Sequence, residues 1–467
     1  MAAKVISQET FDDVVKENII EFSMDPEEAK QETIKQFEAQ GINLANIIKD
    51  LDINADTGKP ILNETIEQLK LYLDEKSTDK EKLMGLLKVI DAECQKSIPH
   101  RVLAAKHETH TYILKILGQQ LETPDAITET DLLEAALKTL NSIYHIQPDI
   151  FDATAMTYVK ALLDLFADKE KVVSLTLQWL QKSCLMHEIN RQNIMKADIV
   201  KHLKPYVSKE NGKVLRDVLA VLRFLVLDDD IRVEFGCAHE HARQLAGEFI
   251  VTLTQLLGEF QDVNILADLM LTIGSLAVRQ EFCVAVDEAG CIKLVLQAMS
   301  DNINSVRLNR EALKLLRALA GHDAVKSHIV QGGIAPILKE VIHTHMANEN
   351  VVSAALACIS TLTLRVKDNS KTFFDTGIAE TIVEAVRSHP KSKIVQRNGA
   401  WAIRNMVSRS REQCDTWLSY GVEDVLNAAM VEHPSVVTDI KAALRDLGCK
   451  VELKEEWTGT AEKKILK

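Results

Sequence analysis

The sequence predicts an all-α solenoid: three-helix units stacked side by side over a single apolar interior. Three observations predict it. Apolar residues recur at helical spacing, with no sustained apolar–polar alternation. A glycine returns at Gly290, Gly333, Gly377 and Gly421, in steps of 43, 44 and 44 residues. Other positions keep its register. Leu319, Leu362 and Met406 each lie 29 residues after their glycine, and Pro390 and Pro434 each lie 13 after theirs. A shared register of this kind marks a repeat architecture, whose units cannot bury their faces alone.

Residues 368–409 show one unit in full. DNSKTFFDTG reads as a short first helix stopped by Gly377. IAETIVEAVRSHPKSK reads as an amphipathic second helix with a polar turn at 388–392. IVQRNGAWAIRNMVSR reads as a longer third helix. Glycine suits the first stop because it enters the left-handed conformation without steric cost. Proline suits the turn, because the first N–H groups of a helix have no partner in any case.

Residues 1–60 fall outside the register. Thr10, with Asp13 three residues on, reads as a helix cap, followed by Phe11, Val14, Val15, Ile19 and Phe22 at helical spacing. Asp25-Pro26-Glu27-Glu28 reads as a second helix start, running toward Gly41. An apolar piece at 42–51 leads into a linker, DINADTGKP. This segment holds 6 Lys, no Arg and 13 Asp plus Glu, so it carries −7 of the chain's −13. Residues 61–94 read as a two-helix capping half-unit, and about eight units follow to 448. These run roughly 97–145, 147–186, 187–227, 228–278, 279–320, 321–365, 366–409 and 410–448. In the earlier units the glycine is replaced, for instance by Asp198. The 228–278 unit is the longest, with extra residues in DDDIRVEFGCAHEHARQLAGE. Residues 449–467 read as a C-terminal cap and tail, with Val451, Leu453 and Trp457 able to cover the last unit.

Composition excludes several classes. Apolar residues make up 46% and charged residues 26% of 467, ordinary for a folded soluble chain. The acidic balance argues against nucleic acid as a partner, since phosphate contact calls for basic patches. No apolar run approaches the length of a membrane span, and MAAKVISQETFDD lacks a signal-peptide core. Eight scattered cysteines without a CxxC pair read as buried thiols in a reducing compartment. The expectation is a monomer in the cytosol, with nuclear access open. The sequence shows no P-loop, G-x-S-x-G, HExxH or dinucleotide fingerprint, so neither catalysis nor a cofactor is expected.

A unit of about 43 residues, with a short first helix ending in glycine and GAWAIRNMV in the third, resembles the armadillo repeat. The resemblance covers about 60–450. ETFDDVVKENIIEF, LDDDIRVEFGCAHEHAR and AALRDLGCKVELKEEWTG resemble one branch of that family over nearly the whole chain. It implies a right-handed superhelix whose third helices line a concave groove, and a protein that binds other proteins.

Three constellations bear on function. Armadillo proteins of the importin and catenin kinds grip peptides with Trp and Asn ladders, of which only Trp401 and Asn405 match here; the neighbouring asparagine positions hold Ala318 and Thr361. LRFL, LRAL, IRNM and LRDL place Arg223, Arg317, Arg404 and Arg445 at one point of four third helices. Stacking would align them into a stripe suited to carboxylates, unless each pairs with an acid such as Asp446. Cys237, His239 and His241 carry metal-friendly side chains at a spacing unusual for zinc, so the bland reading is a packed polar loop and no metal. The expected function is a scaffold or adaptor that binds a partner segment along the third-helix groove. The alternative is a transport or chaperone-like factor taking basic cargo through acidic patches. The acidic 1–60 segment reads as helices that dock on the first repeats or stay mobile, with the alternative that it competes with ligands for an arginine-lined groove.

Overall fold

The computed structural model describes residues 4–49, 60–122, 129–210 and 212–451. Among them every regular element is a helix; one isolated bridge joins Lys4 to Ile42. The chain divides into two compact halves, Met1–Ala242 and Arg243–Lys467.

The N-terminal half begins with a helical hairpin, α1 (Gln8–Phe22) and α2 (Pro26–Ala39). Phe11, Phe37, Leu44 and Ile47 form its own small core, with the two rings 6.1 Å apart. Asn18 is buried between the helices and donates to Thr33 Oγ1 at 2.9 Å. Asp25 caps α2 by accepting from the Glu27 and Glu28 N–H groups, as expected. The cap of α1 is Ser7, not Thr10: the Ser7 hydroxyl accepts the Thr10 N–H, and the helix starts three residues earlier. Both are good caps; Ser7 wins because it is extended while Thr10 is already helical.

Then come α3 (Ile61–Asp74), α4 (Lys80–Lys96), α5 (Ile98–Lys106), α6 (Thr109–Leu121) and α7 (Asp131–Ile143). A single 3-10 turn at Pro148–Ile150 precedes α8 (Ala153–Leu165) and α9 (Glu170–Cys184). The unit at 147–186 is therefore short of its first helix, because Pro148 starts a turn with no apolar run behind it. The half continues with α10 (Glu188–Lys196), α11 (Ile199–Leu203) and α12 (Gly212–Phe224). Helices α4, α7, α9 and α12 pack consecutively as one layer. Each presents a fully buried stripe, for example Leu133, Ala136, Leu137 and Leu140 of α7. Burial of each leucine is worth roughly 1.5–3 kcal/mol.

The division between the halves falls within α13 (Ala238–Leu256). Of the extra residues that the sequence placed over 228–248, those from Ala238 on are helical, and the irregular stretch is confined to residues before it. The C-terminal half holds α14 (Val263–Leu276), then α15 (Gln280–Glu288), α16 (Cys291–Asp301) and α17 (Val306–Leu319). The next triplet is α18 (Asp323–Gln331), α19 (Ile334–Thr344) and α20 (Glu349–Thr363), followed by α21 (Lys367–Asp375), α22 (Ile378–Ser388) and α23 (Lys393–Val407). The last is α24 (Cys414–Ser419), α25 (Val422–Glu432) and α26 (Val437–Leu447). Three layers result. First helices α15, α18 and α21 pack in order, second helices α16, α19, α22 and α25 likewise, and third helices α14, α17, α20, α23 and α26 likewise.

Gly290, Gly333, Gly377 and Gly421 sit at φ 87°, 91°, 71° and 75°, each joining a first helix to a second. Asp198 takes that corner at φ 60° and Glu108 at φ 55°, so these corners earlier in the chain keep the conformation without the glycine. Polar links repeat with the same period. His345, His389 and His433 each lie 12 residues after their glycine. Their Nε2 atoms lie 2.8, 2.7 and 2.8 Å from the Ile303, Met346 and Pro390 carbonyl oxygens of the preceding repeat. The 452–467 tail, with Leu453 and Trp457, and the linker at 52–59 lie outside the described residues.

Candidate interaction surface

Within the C-terminal half, α17 buries Leu308, Ala312, Leu315, Leu316 and Leu319 and leaves Arg317 exposed. The same register position in α20 is Ser360, which is buried, and in α23 it is Arg404. The arginine row is thus interrupted. Two of its members also share one carboxylate. Arg404 Nε donates to Asp446 Oδ2 at 3.3 Å, and Arg445 Nε and Nη2 donate to Asp446 Oδ1 at 3.2 and 3.1 Å. Their guanidinium groups remain about half exposed. Arg317 has no acidic partner among the described residues. Arg223 lies on α12 in the N-terminal half, half-buried and already engaged.

Trp401 is partly exposed and carries the Arg397 guanidinium 4.9 Å above its ring. Asn405 spends both amide hydrogens on the neighbouring repeat, donating to Ser360 O at 2.8 Å and Ser360 Oγ at 3.0 Å. Asn398 makes one such bond, donating to Ser353 O at 3.0 Å. The asparagine that matched the peptide-gripping pattern therefore stitches helix to helix, with only its side-chain carbonyl left for a ligand.

In the N-terminal half the third helices enclose a cleft of about 550 Å³. Lys88 and Asp91 of α4, Glu134 and Lys138 of α7 and Lys171 of α9 line it. Lys171 pairs with Glu134. Gly85 also lines it, and no heavy atom stands within 4 Å of where its Cβ would be. Further along α9, Lys182 Nζ donates to Asn141 O at 2.8 Å. Burial brings its pKa down to about 8, with Arg101 pushing the same way and Asp91 opposing.

Cys237, His239 and His241 are not brought together. His241 is buried with Nδ1 3.0 Å from Leu225 O, His239 is exposed, and Cys237 donates its N–H to Glu188 Oε1 at 2.6 Å. No group of three metal-binding side chains occurs among the described residues. The segment is organised by charge instead. Arg191, 1% exposed, donates to Glu188 Oε2 at 3.0 Å, Asp229 Oδ1 at 2.6 Å and Cys184 O at 2.8 Å. Asp230 accepts the Glu188 N–H at 2.9 Å and the Arg232 Nε at 2.8 Å. Arg232 also reaches Asp149 Oδ1 at 2.9 Å and Met186 O at 2.8 Å. Hydrogen bonding from Arg232 holds the Asp230 carboxyl far below the usual range. Sequence reasoning missed this network. Its signals were the Glu188/Arg191 pair one turn apart on a helix and an arginine two residues after an Asp run.

Among the described residues no helix is long and apolar enough to cross a membrane. The layered three-helix repeats define an armadillo-type helical repeat protein, a fold typical of protein-binding scaffolds. The family model ARMC6 matches residues 62–466, and a second, the armadillo repeat-containing protein 6 N-terminal domain, matches 3–68. The chain belongs to the ARMC6 family. It is 66% identical over 465 residues to the armadillo repeat-containing protein 6 homolog of Drosophila melanogaster, covering 99% of both chains. It is 41% identical over 474 residues to armadillo repeat-containing protein 6 of Homo sapiens, covering 98% of this chain and 94% of that one. Among solved structures, an engineered protein aligns with TM-score 0.66 at 17% identity, over 82% of this chain and 89% of its own. A structure from work on the interaction between cadherin and beta-catenin aligns with TM-score 0.57 at 17% identity, over 82% and 68%. Both likenesses are of fold.

Proposed function

We propose that this protein is a non-catalytic scaffold that binds an extended partner segment along its third-helix face. The observation that carries the reading is the cleft between α4, α7 and α9. Its floor is made by packed helices, and its walls offer lysines and carboxylates side by side. Such a surface is fixed before the partner arrives, so little ordering cost falls on the protein. In the C-terminal half, Arg317 supplies an uncommitted guanidinium and Trp401 a flat apolar contact on the same layer. Arg404 and Arg445 are held by Asp446 and serve packing first.

The test is affinity purification of the intact chain beside two variants, Lys138→Glu and Arg317→Glu, with bound proteins quantified by mass spectrometry. Loss of a shared set of proteins from either variant supports the reading. An unchanged set in both removes it.

A further inference from the structure

We propose that the corner formed by residues 228–237 is a second docking surface, one that takes an apolar segment flanked by lysine or arginine from another protein. Ile146, Met186 and Ile231, with Pro148 and Leu185, line a hollow of about 270 Å³. Large apolar side chains normally leave water, yet Ile231 is 94% exposed, and Phe235, on the same loop, is 82% exposed. Met186 and Ile146 are about half exposed. An apolar group of this kind on a monomer surface is the usual mark of a binding site.

Two features argue that the arrangement is held on purpose. Ile146 and Met186 sit at φ 66° and 53°, a region that costs a β-branched residue in particular. The loop that carries Ile231 is also fixed on both sides of it. Asp229 accepts the Met186 N–H at 3.1 Å, Asp230 accepts the Glu188 N–H, and Arg232 ties back to Asp149 and Met186. An exposed isoleucine on a loop so tightly bonded is a rigid anchor and not a frayed end. Rigid apolar anchors are what binding centres are built from.

Charge selects the partner. The exposed carboxylates of Asp149, Asp228 and Glu234 flank this corner. Among the described residues Arg232 is the one arginine or lysine lining the hollow, and it serves two carboxylates, Asp149 and Asp230. The rim is therefore negative over an apolar floor. That combination repels nucleic acid and anionic lipid and fits a basic amphipathic segment. The surface stands apart from the third-helix cleft, and its fate is independent of that reading.

The test uses the full chain and three labelled synthetic peptides of about 18 residues, long enough for a helical face. One has Leu and Phe at helical spacing with Lys between. The second replaces every Lys by Glu. The third keeps Lys and replaces Leu and Phe by Ser. The first alone should bind, and more weakly as salt rises. Two neutral, exposed changes, Ile231→Ser with Phe235→Ser, should weaken it about tenfold or more with the melting temperature unmoved. Asp228→Asn with Glu234→Gln should weaken it about threefold or more by charge alone. Arg317→Glu should leave it unchanged. No binding of the first peptide, equal binding of either control, or unchanged affinity in the Ile231/Phe235 variant overturns the proposal.

Discussion

Gly399 shows how much a single missing side chain decides. It lies inside α23, where alanine is the better helix former by about 1 kcal/mol. A Cβ there would stand 2.3 Å from Val386 Cγ2 of α22. Contact overrides propensity, so Gly399→Ala should destabilise the protein by about 1–3 kcal/mol, read by urea unfolding. Glu108 shows the converse. It occupies at φ 55° the corner that later repeats give to glycine. Glu108→Gly should stabilise by about 1 kcal/mol, read the same way, because the left-handed conformation costs other residues about that much. Lys182 supplies a pH signature. An unfolded lysine keeps its proton to about 10.5, whereas this one yields it near 8. Between those values the unfolded chain binds more protons, so the stability contribution of Lys182 rises with pH. Lys182→Met should remove that rise. A wild-type-minus-variant difference that stays flat from pH 8 to 10.5 would contradict it.

At the scale of the helix, repeats are joined by side chains that reach backbone carbonyls across the stack. His389 connects the end of α22 to Met346 O in the turn after α19, and His345 and His433 do the same one repeat away. Each bond closes a carbonyl that the end of a helix leaves unpaired or that a turn exposes. His389→Ala should cost about 1 kcal/mol. His389→Gln should recover part of it, since an amide can also donate; equal losses in both variants would show that packing alone is at stake. The register of these histidines stood in the sequence, 12 residues after each glycine, but spacing does not tell a linking residue from a surface one. The arginine row taught the same lesson in reverse. Its periodicity was plain, whereas the sharing of Asp446 by Arg404 and Arg445 depends on two helices lying side by side. The corner network has a larger effect. Arg191 is almost fully buried against Glu188 and Asp229, and Arg191→Met leaves those carboxylates without their partner. Such a loss costs about 3–5 kcal/mol, visible as a lowered melting temperature.

At the scale of the molecule, stacked repeats touch chiefly their neighbours, so stability is local and adds from one interface to the next. A weakened repeat should loosen its own surroundings first. Hydrogen exchange of Gly399→Ala should therefore rise in α20–α26 while α4, α7 and α9 keep their protection. A uniform rise along the chain would mean that the protein opens as one piece. The acidic hairpin fits this picture as a further local element. Its apolar residues Phe11, Phe37, Leu44 and Ile47 are spent on each other, so a role for it in competing with ligands would rest on its charges.

The sequence by itself determined most of the helices and, from Gly290 onward, their grouping in threes. These follow from short-range rules: apolar spacing, a glycine at each left-handed corner, caps and prolines. Those rules act over a few residues and repeat, so they are legible in a single chain. Tertiary structure alone decided which polar groups remain free. Asn405 is turned to Ser360, Arg404 to Asp446 and Arg191 to Asp229, each across some 40 residues of chain. It also decided that Ile231 stands in water on a fixed loop. The partner of a charge across the stack is set by distance in space, which spacing along the chain does not record.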